Sequence, residues 1–171
     1  MFGIVALLGA YVVLALLRFR AAPAASILGV IFGTLFVSAE LFYRSLDFFV
    51  VSLHWAADYR LSELSRDLLL QRYELWSQMV QAWYFPLQLS HMLAAICFLI
   101  ATWRVFGRGA WLAPAAFGLN SIRLMARTLN SFAGQHWLAA FNRLPLYFAT
   151  VALVNGMLAA WFFWMSRDPA R

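Results

Sequence analysis

Lysine is absent from the 171 residues, so all thirteen basic side chains are arginine. Cysteine occurs once, as Cys97, which excludes an internal disulfide and any CxxC redox or zinc motif. Charge of either sign is scarce: Asp, Glu, Lys and Arg together make up 12% of the chain, against the ~25% usual in a soluble domain. Walker, HExxH and GxSxG motifs are missing, as is any paired-carboxylate metal site. No nucleophile–base constellation replaces them, because His91, the histidine nearest Cys97, lies six residues away on another helical face. Repeated blocks of period-two alternation are also missing, which leaves an outer-membrane barrel without support.

What is present is apolar. Hydrophobic residues make up 64% of the chain, the mean hydropathy is +0.75, and sixteen Phe, eight Trp and six Tyr suit lipid-facing packing and interfacial belts. A water-soluble monomer of this composition would expose large apolar patches. The expected fold class is therefore all-α, a polytopic helical membrane protein forming one transmembrane domain over 1–171. Five stretches can cross ~30 Å of hydrocarbon: 2–17, 25–43, 82–103, 111–130 and 146–165. The first reads as a retained span and not a signal peptide, since no basic residue precedes it and Arg18 and Arg20 follow it.

The arginines then orient the chain. Arg18, Arg20, Arg104, Arg108, Arg167 and Arg171 fall on one side with a single acid, Asp168. On the other side Arg44, Arg60, Arg66, Arg72 and Arg143 are balanced by Asp47, Asp58, Glu63, Asp67 and Glu74. The positive-inside rule places the amino terminus outside and the carboxyl terminus in the cytoplasm. An all-arginine basic set suggests a GC-rich bacterial genome, hence the bacterial cytoplasmic (inner) membrane. The formal charge of +6 is scattered instead of forming a stripe, so no nucleic-acid partner is expected.

The amphipathic segment 44–81 admits two arrangements, an interfacial helix or an outward hairpin of the second and third spans. The hairpin is preferred because no Gly or Pro interrupts 34–85. Its tip is expected at 58–62, with Ser62 as N-cap and Glu63 in the first turn. A short interfacial helix is expected over Ser131–Leu144, carrying Trp137, Leu138 and Phe141, and Pro145 marks the start of the last span.

Three groups of polar residues occupy unusual places. Glu40, Arg44 and Asp47, at steps of four and three, share one face of the second helix. They read either as an ion-handling carboxylate or as a local Glu40–Arg44 pair. Asn120, Arg123, Arg127 and Asn130 form a second stripe on the fourth span, with Arg123 near mid-membrane, where it needs a partner. The two stripes are expected to face each other, giving either a polar seam for helix pairing or a site for an anionic headgroup, a carboxylate or a quinone carbonyl. His91 reads as a hydrogen-bonded core histidine or as a ligand to haem iron or chlorophyll magnesium. Ser26, Gly29 and Gly33 form a small-residue packing face, with Gly118, Asn155 and Gly156 in similar roles.

Three function classes follow. The preferred one is an accessory or scaffold subunit of a larger bacterial membrane complex, with membrane lipids and other membrane subunits as partners. The alternative is a small transporter or lipid/quinone-binding protein using the Glu/Arg/Asn seam. An intramembrane enzyme lacks a nucleophile or metal to complete its mechanism.

Overall fold

The computed structural model describes residues 2–61, 65–103, 105, 109–134 and 144–167, and these contain helices and turns but no strand. α1 is Phe2–Arg18 and α2 starts at Pro23. The intervening turn is tight: the Ala21 and Ala22 N–H groups both donate to the Arg18 carbonyl, at 3.1 and 2.9 Å. Proline suits the first helical position, where its missing N–H costs nothing. From Pro23 to Leu46 α2 is α-helical; it continues as a π-helix over Asp47–Trp55 and closes with an α-turn, Ala56–Arg60. The π stretch carries Phe48, Phe49, Val50 and Val51, side chains that crowd the preceding turn of an α-helix. α3 is Arg66–Thr102, α4 is Leu112–Phe132 and α5 is Leu144–Arg167.

Three of these helices are long and apolar enough to cross a membrane: Pro23–Arg60, Arg66–Thr102 and Pro145–Arg167. α1 is apolar but has 17 residues, about 25 Å at 1.5 Å per residue. α4 has the length, at 21 residues, but carries Asn120, Arg123, Arg127 and Asn130. Among the described residues, helix length and composition therefore give three candidate spans where five were expected.

α2 and α3 pair antiparallel along their length. Gly29 meets Phe98, Phe36 stacks on His91 at 4.0 Å, Phe42 meets Trp83 at 5.8 Å, and Trp55 meets Trp76 at 6.4 Å. The segment 44–81 is thus the part of a helical hairpin nearest its turn and not one continuous helix. At 37 residues α3 is about 55 Å long, roughly 25 Å more than the hydrocarbon requires. Helix α2 runs on to Arg60, so the expected turn at 58–62 begins later. Ser62 and Glu63 lie outside the described residues, and the cap of α3 is Ser65, whose Oγ accepts from the Leu68 N–H at 3.3 Å. Asp67 takes the place expected of Glu63 in the first turn.

Ser131 and Phe132 do not begin an interfacial helix; they complete α4, which ends before Gly134 at φ +64°. That left-handed position is cheap only for glycine and stops the helix. Trp137, Leu138, Phe141 and Arg143 lie outside the described residues, as do Arg104, Arg108, Asp168 and Arg171.

α1 packs on α2, α2 on α3, α3 on α4 and α4 on α5. The core gathers Tyr11 and Leu14 of α1, Phe98 of α3, Phe117 of α4 and Trp161 of α5. The small-residue face of α2 takes aromatic rings instead of a bare helix backbone. A Cβ on Gly29 would lie 2.8 Å from Phe98 Cζ, and one on Gly33 would lie 2.6 Å from Tyr11 Cδ2. Ser26 is fully buried, whereas Asn155 and Gly156 are exposed on α5, and a Cβ on Gly156 would meet no atom of the described residues within 4 Å.

Arg18 departs from its expected role as a loop charge. It is buried, and its Nε donates to the Ala101 carbonyl at 3.0 Å, placing a cation where the last turn of α3 leaves carbonyls unpaired. Arg18→Leu should lower stability by about 1.5–3 kcal/mol, the range for a charge-assisted bond. Exposed Arg20→Leu should change it little, and thermal unfolding in a neutral detergent compares the two.

Candidate functional site

Each side chain of the site sits on a helical stripe of three- and four-residue steps. Phe36, Glu40 and Arg44 come from α2, Tyr84, Gln88 and His91 from α3, Arg123 and Arg127 from α4, and Tyr147 from the first turn of α5. Together with Leu87, Leu124 and Ser131 they line one cavity of about 460 Å³. That lies within the range of small-molecule sites.

The two expected stripes reach this cavity from opposite walls, with α3 between them. They do not pair by charge. Glu40 Oε1 accepts from Arg44 Nε at 3.0 Å, one turn along its own helix, and this is the salt bridge found among the described residues. Arg123 is 6% exposed, and both its Nε and its Nη2 donate to Asn120 Oδ1, at 3.2 and 2.8 Å. Its Nη1 is buried without a partner among the described residues. The expected carboxylate partner of Arg123 is replaced by an amide and an aromatic face. Tyr147 lies 5.2 Å from the guanidinium carbon of Arg123 and 5.2 Å from that of Arg127, and Tyr84 lies 5.6 Å from the latter. Such contacts hold a cation in place without neutralising it.

Three members of the expected stripes do not line the cavity, one of them Asn120, which lies behind Arg123. Asp47, at the start of the π stretch, lines a separate surface hollow with Phe48 and Ser52. Asn130 does not reach the cavity wall, and its Oδ1 is buried without a partner among the described residues.

His91 closes a relay behind the arginine. Asn120 gives its oxygen to Arg123, so its amide nitrogen is what faces His91 Nε2 at 3.2 Å. Nε2 must then accept, and the ring proton sits on Nδ1. The nitrogen that a haem iron or chlorophyll magnesium would use is already held, so the geometry favours the hydrogen-bonded core role over the ligand role. No group of three or more His, Cys, Asp or Glu able to hold a metal occurs among the described residues. His91→Leu should leave the Asn120 amide unpaired and cost about 1–3 kcal/mol. Thermal unfolding of the unliganded protein measures it, and Asn120→Leu in the same background should cost less than the sum of the two single changes.

Tyr84, Gln88, Ser131 and Tyr147 are site residues that the sequence reasoning missed. Tyr84, Gln88 and His91 recur at four and three residues, the same signature as the two stripes that were found. Gln88 is buried, and its Oε1 accepts from Thr128 Oγ1 at 3.2 Å, fixing α3 against α4 beside the cavity.

Chemically the wall presents three guanidiniums and one carboxylate, a surplus of two positive charges. It holds no nucleophile beside a base. Such a wall can bind and orient an anion. No family model matches the chain, and no curated protein or solved structure matches it either.

Proposed function

We propose that this chain is a multi-pass protein of the bacterial cytoplasmic membrane that binds an anionic ligand in the cavity between α2, α3, α4 and α5. In this proposal α1 and α4 also cross the bilayer, giving five spans, with the amino terminus outside and the carboxyl terminus in the cytoplasm. The cavity then lies toward the outer face, at the end of the bundle from which the hairpin extends. The observation that carries the proposal is Arg123: buried, free of any carboxylate within ion-pair distance among the described residues, and with Nη1 unpartnered. A buried guanidinium is costly unless paired, and in a membrane protein it marks a ligand or ion site by default. A neutral quinone carbonyl could accept from it but would leave the surplus charge in place, so an anion fits better.

A second reading, an accessory subunit of a larger membrane complex, is favoured by a different surface. Ala152, Gly156 and Ala160 of α5 recur every four residues beside Asn155, and all four are exposed. Small residues with an adjacent amide suit close packing by a neighbouring span.

One experiment separates the two, with the full chain in a neutral detergent. Under anion binding, an anionic short-chain phospholipid raises the unfolding midpoint more than a zwitterionic one, Arg127→Gln removes the difference, and Gly156→Leu does not. Under the subunit reading, Gly156→Leu shrinks the particle extracted from membranes while Arg127→Gln leaves it intact. Equal stabilisation by both lipids would contradict the anion site.

A further inference from the structure

Resting on the anion-binding reading, we propose that the occupant is the phosphate headgroup of a bilayer lipid, which reaches the cavity sideways from the membrane while its acyl chains stay outside. Three observations lead there. The first is the donor set. A carboxylate is satisfied by one guanidinium fork, whereas Arg44, Arg123 and Arg127 bring three guanidiniums to one space, and Arg123 still has Nη1 to donate beyond its bonds to Asn120. A phosphate presents enough oxygens to accept from more than one of them.

The second observation is what surrounds the polar wall. Phe85 next to Tyr84, Ile122 next to Arg123, and Leu146 and Phe148 on either side of Tyr147 are all exposed. Tyr84, Arg123 and Tyr147, on three of the four helices of the wall, are thus each flanked in sequence by an exposed apolar residue, one that meets hydrocarbon if these helices span. An ion from water would meet that apolar rim, whereas a lipid already has its chains there.

The third is the way the bundle closes. α5 packs on α4 and, among the described residues, supplies Tyr147 alone to the cavity wall. Its later residues, Trp161 and Phe162, fill the core against α1, α3 and α4. Among the described residues the half of α5 nearest the cavity packs on α4 and not closely on α2, and in this proposal the lipid enters on that side. The cavity, at about 460 Å³, suits a headgroup, and the exposed Leu146 and Phe148 offer apolar surface for the chains just outside.

The test titrates the full-length protein in neutral detergent with dioctanoyl phosphatidic acid, dioctanoyl phosphatidylcholine and glycerol 3-phosphate, following the unfolding midpoint. The phosphatidic acid should bind about tenfold or more tightly than either other probe, and Arg127→Gln should weaken it about tenfold. Arg127 is chosen because it is only half-buried, so its loss leaves the core intact. If glycerol 3-phosphate binds as tightly as the lipid, the membrane source is overturned and the anion site stands. If phosphatidylcholine matches phosphatidic acid, the requirement for a net anionic headgroup is overturned. If no anion binds, or Arg127→Gln changes nothing, the anion-binding reading itself fails.

Discussion

Arg123→Met should reduce anion affinity about 10- to 100-fold while leaving the unliganded protein about as stable as the parent. Loss of a charge-assisted hydrogen bond to the ligand accounts for the first effect. The second follows from two opposing costs. A buried, unneutralised arginine in a membrane costs about 2.5–3.5 kcal/mol on insertion scales, and methionine removes that cost. Against it, Asn120 Oδ1 loses both of its donors, at 3.2 and 2.8 Å, and an orphaned buried oxygen costs about 1–3 kcal/mol. The two are of similar size, so binding and stability should separate. A residue conserving only helix pairing would behave oppositely, with its loss lowering stability whether or not ligand is present. Unfolding midpoints with and without dioctanoyl phosphatidic acid, on both proteins, measure the two effects together.

Phe98→Ala should be the most damaging of the core substitutions. The ring is fully buried between Tyr11, centroids 5.0 Å apart, and Phe117, centroids 5.4 Å apart, and it fills the space that Gly29 leaves. In a bilayer the lipid is as apolar as the core, so the transfer contribution largely vanishes, but lost contacts remain and the cavity is not refilled. A loss of about 3 kcal/mol is expected, the low end of the phenylalanine-to-alanine range in soluble cores. The vacated space borders the missing side chain of residue 29. Gly29→Leu alone should therefore destabilise by overpacking, about 1–3 kcal/mol, because its Cβ would meet Phe98 Cζ at 2.8 Å. The pair Gly29→Leu with Phe98→Ala should recover part of both losses. Two additive losses would show that residues 29 and 98 do not share the space.

Much of this arrangement was legible in the sequence because helical periodicity is local. Spacing of four and three residues put Glu40 with Arg44, and Asn120 with Arg123 and Arg127, on single faces before any fold was known. The same spacing in Tyr84, Gln88 and His91 was overlooked because Tyr and Gln are ordinary residues near a membrane surface. Which helix stands between which others is not local. Charge complementarity suggested that the acids of α2 would meet the arginines of α4. In the structure α3 separates the two helices, and Asn120, one turn from Arg123, takes up two of its donors. Asp47 shares the face but lies about 10 Å beyond Glu40 along α2, where it lines a separate hollow, and spacing on one face does not show how far along the axis a cavity reaches. Arg18 reads as a loop charge in a one-dimensional count, yet the tight turn at Arg18–Ala22 holds it against the end of α3. The small face of α2 was visible as Gly29 and Gly33, but which partners would fill it depended on Tyr11, 22 residues before Gly33, and Phe98, 69 residues after Gly29.

In the proposed function, Arg123 and Arg127 hold an anionic amphiphile in the membrane. The most direct measurement is native mass spectrometry of the full chain released from membranes by a mild detergent, comparing the parent protein with Arg127→Gln. The expected result is a 19.4 kDa chain carrying a phosphate-bearing lipid that the variant retains far less well. A chain free of lipid, or one whose bound lipids are indifferent to Arg127→Gln, would contradict the claim.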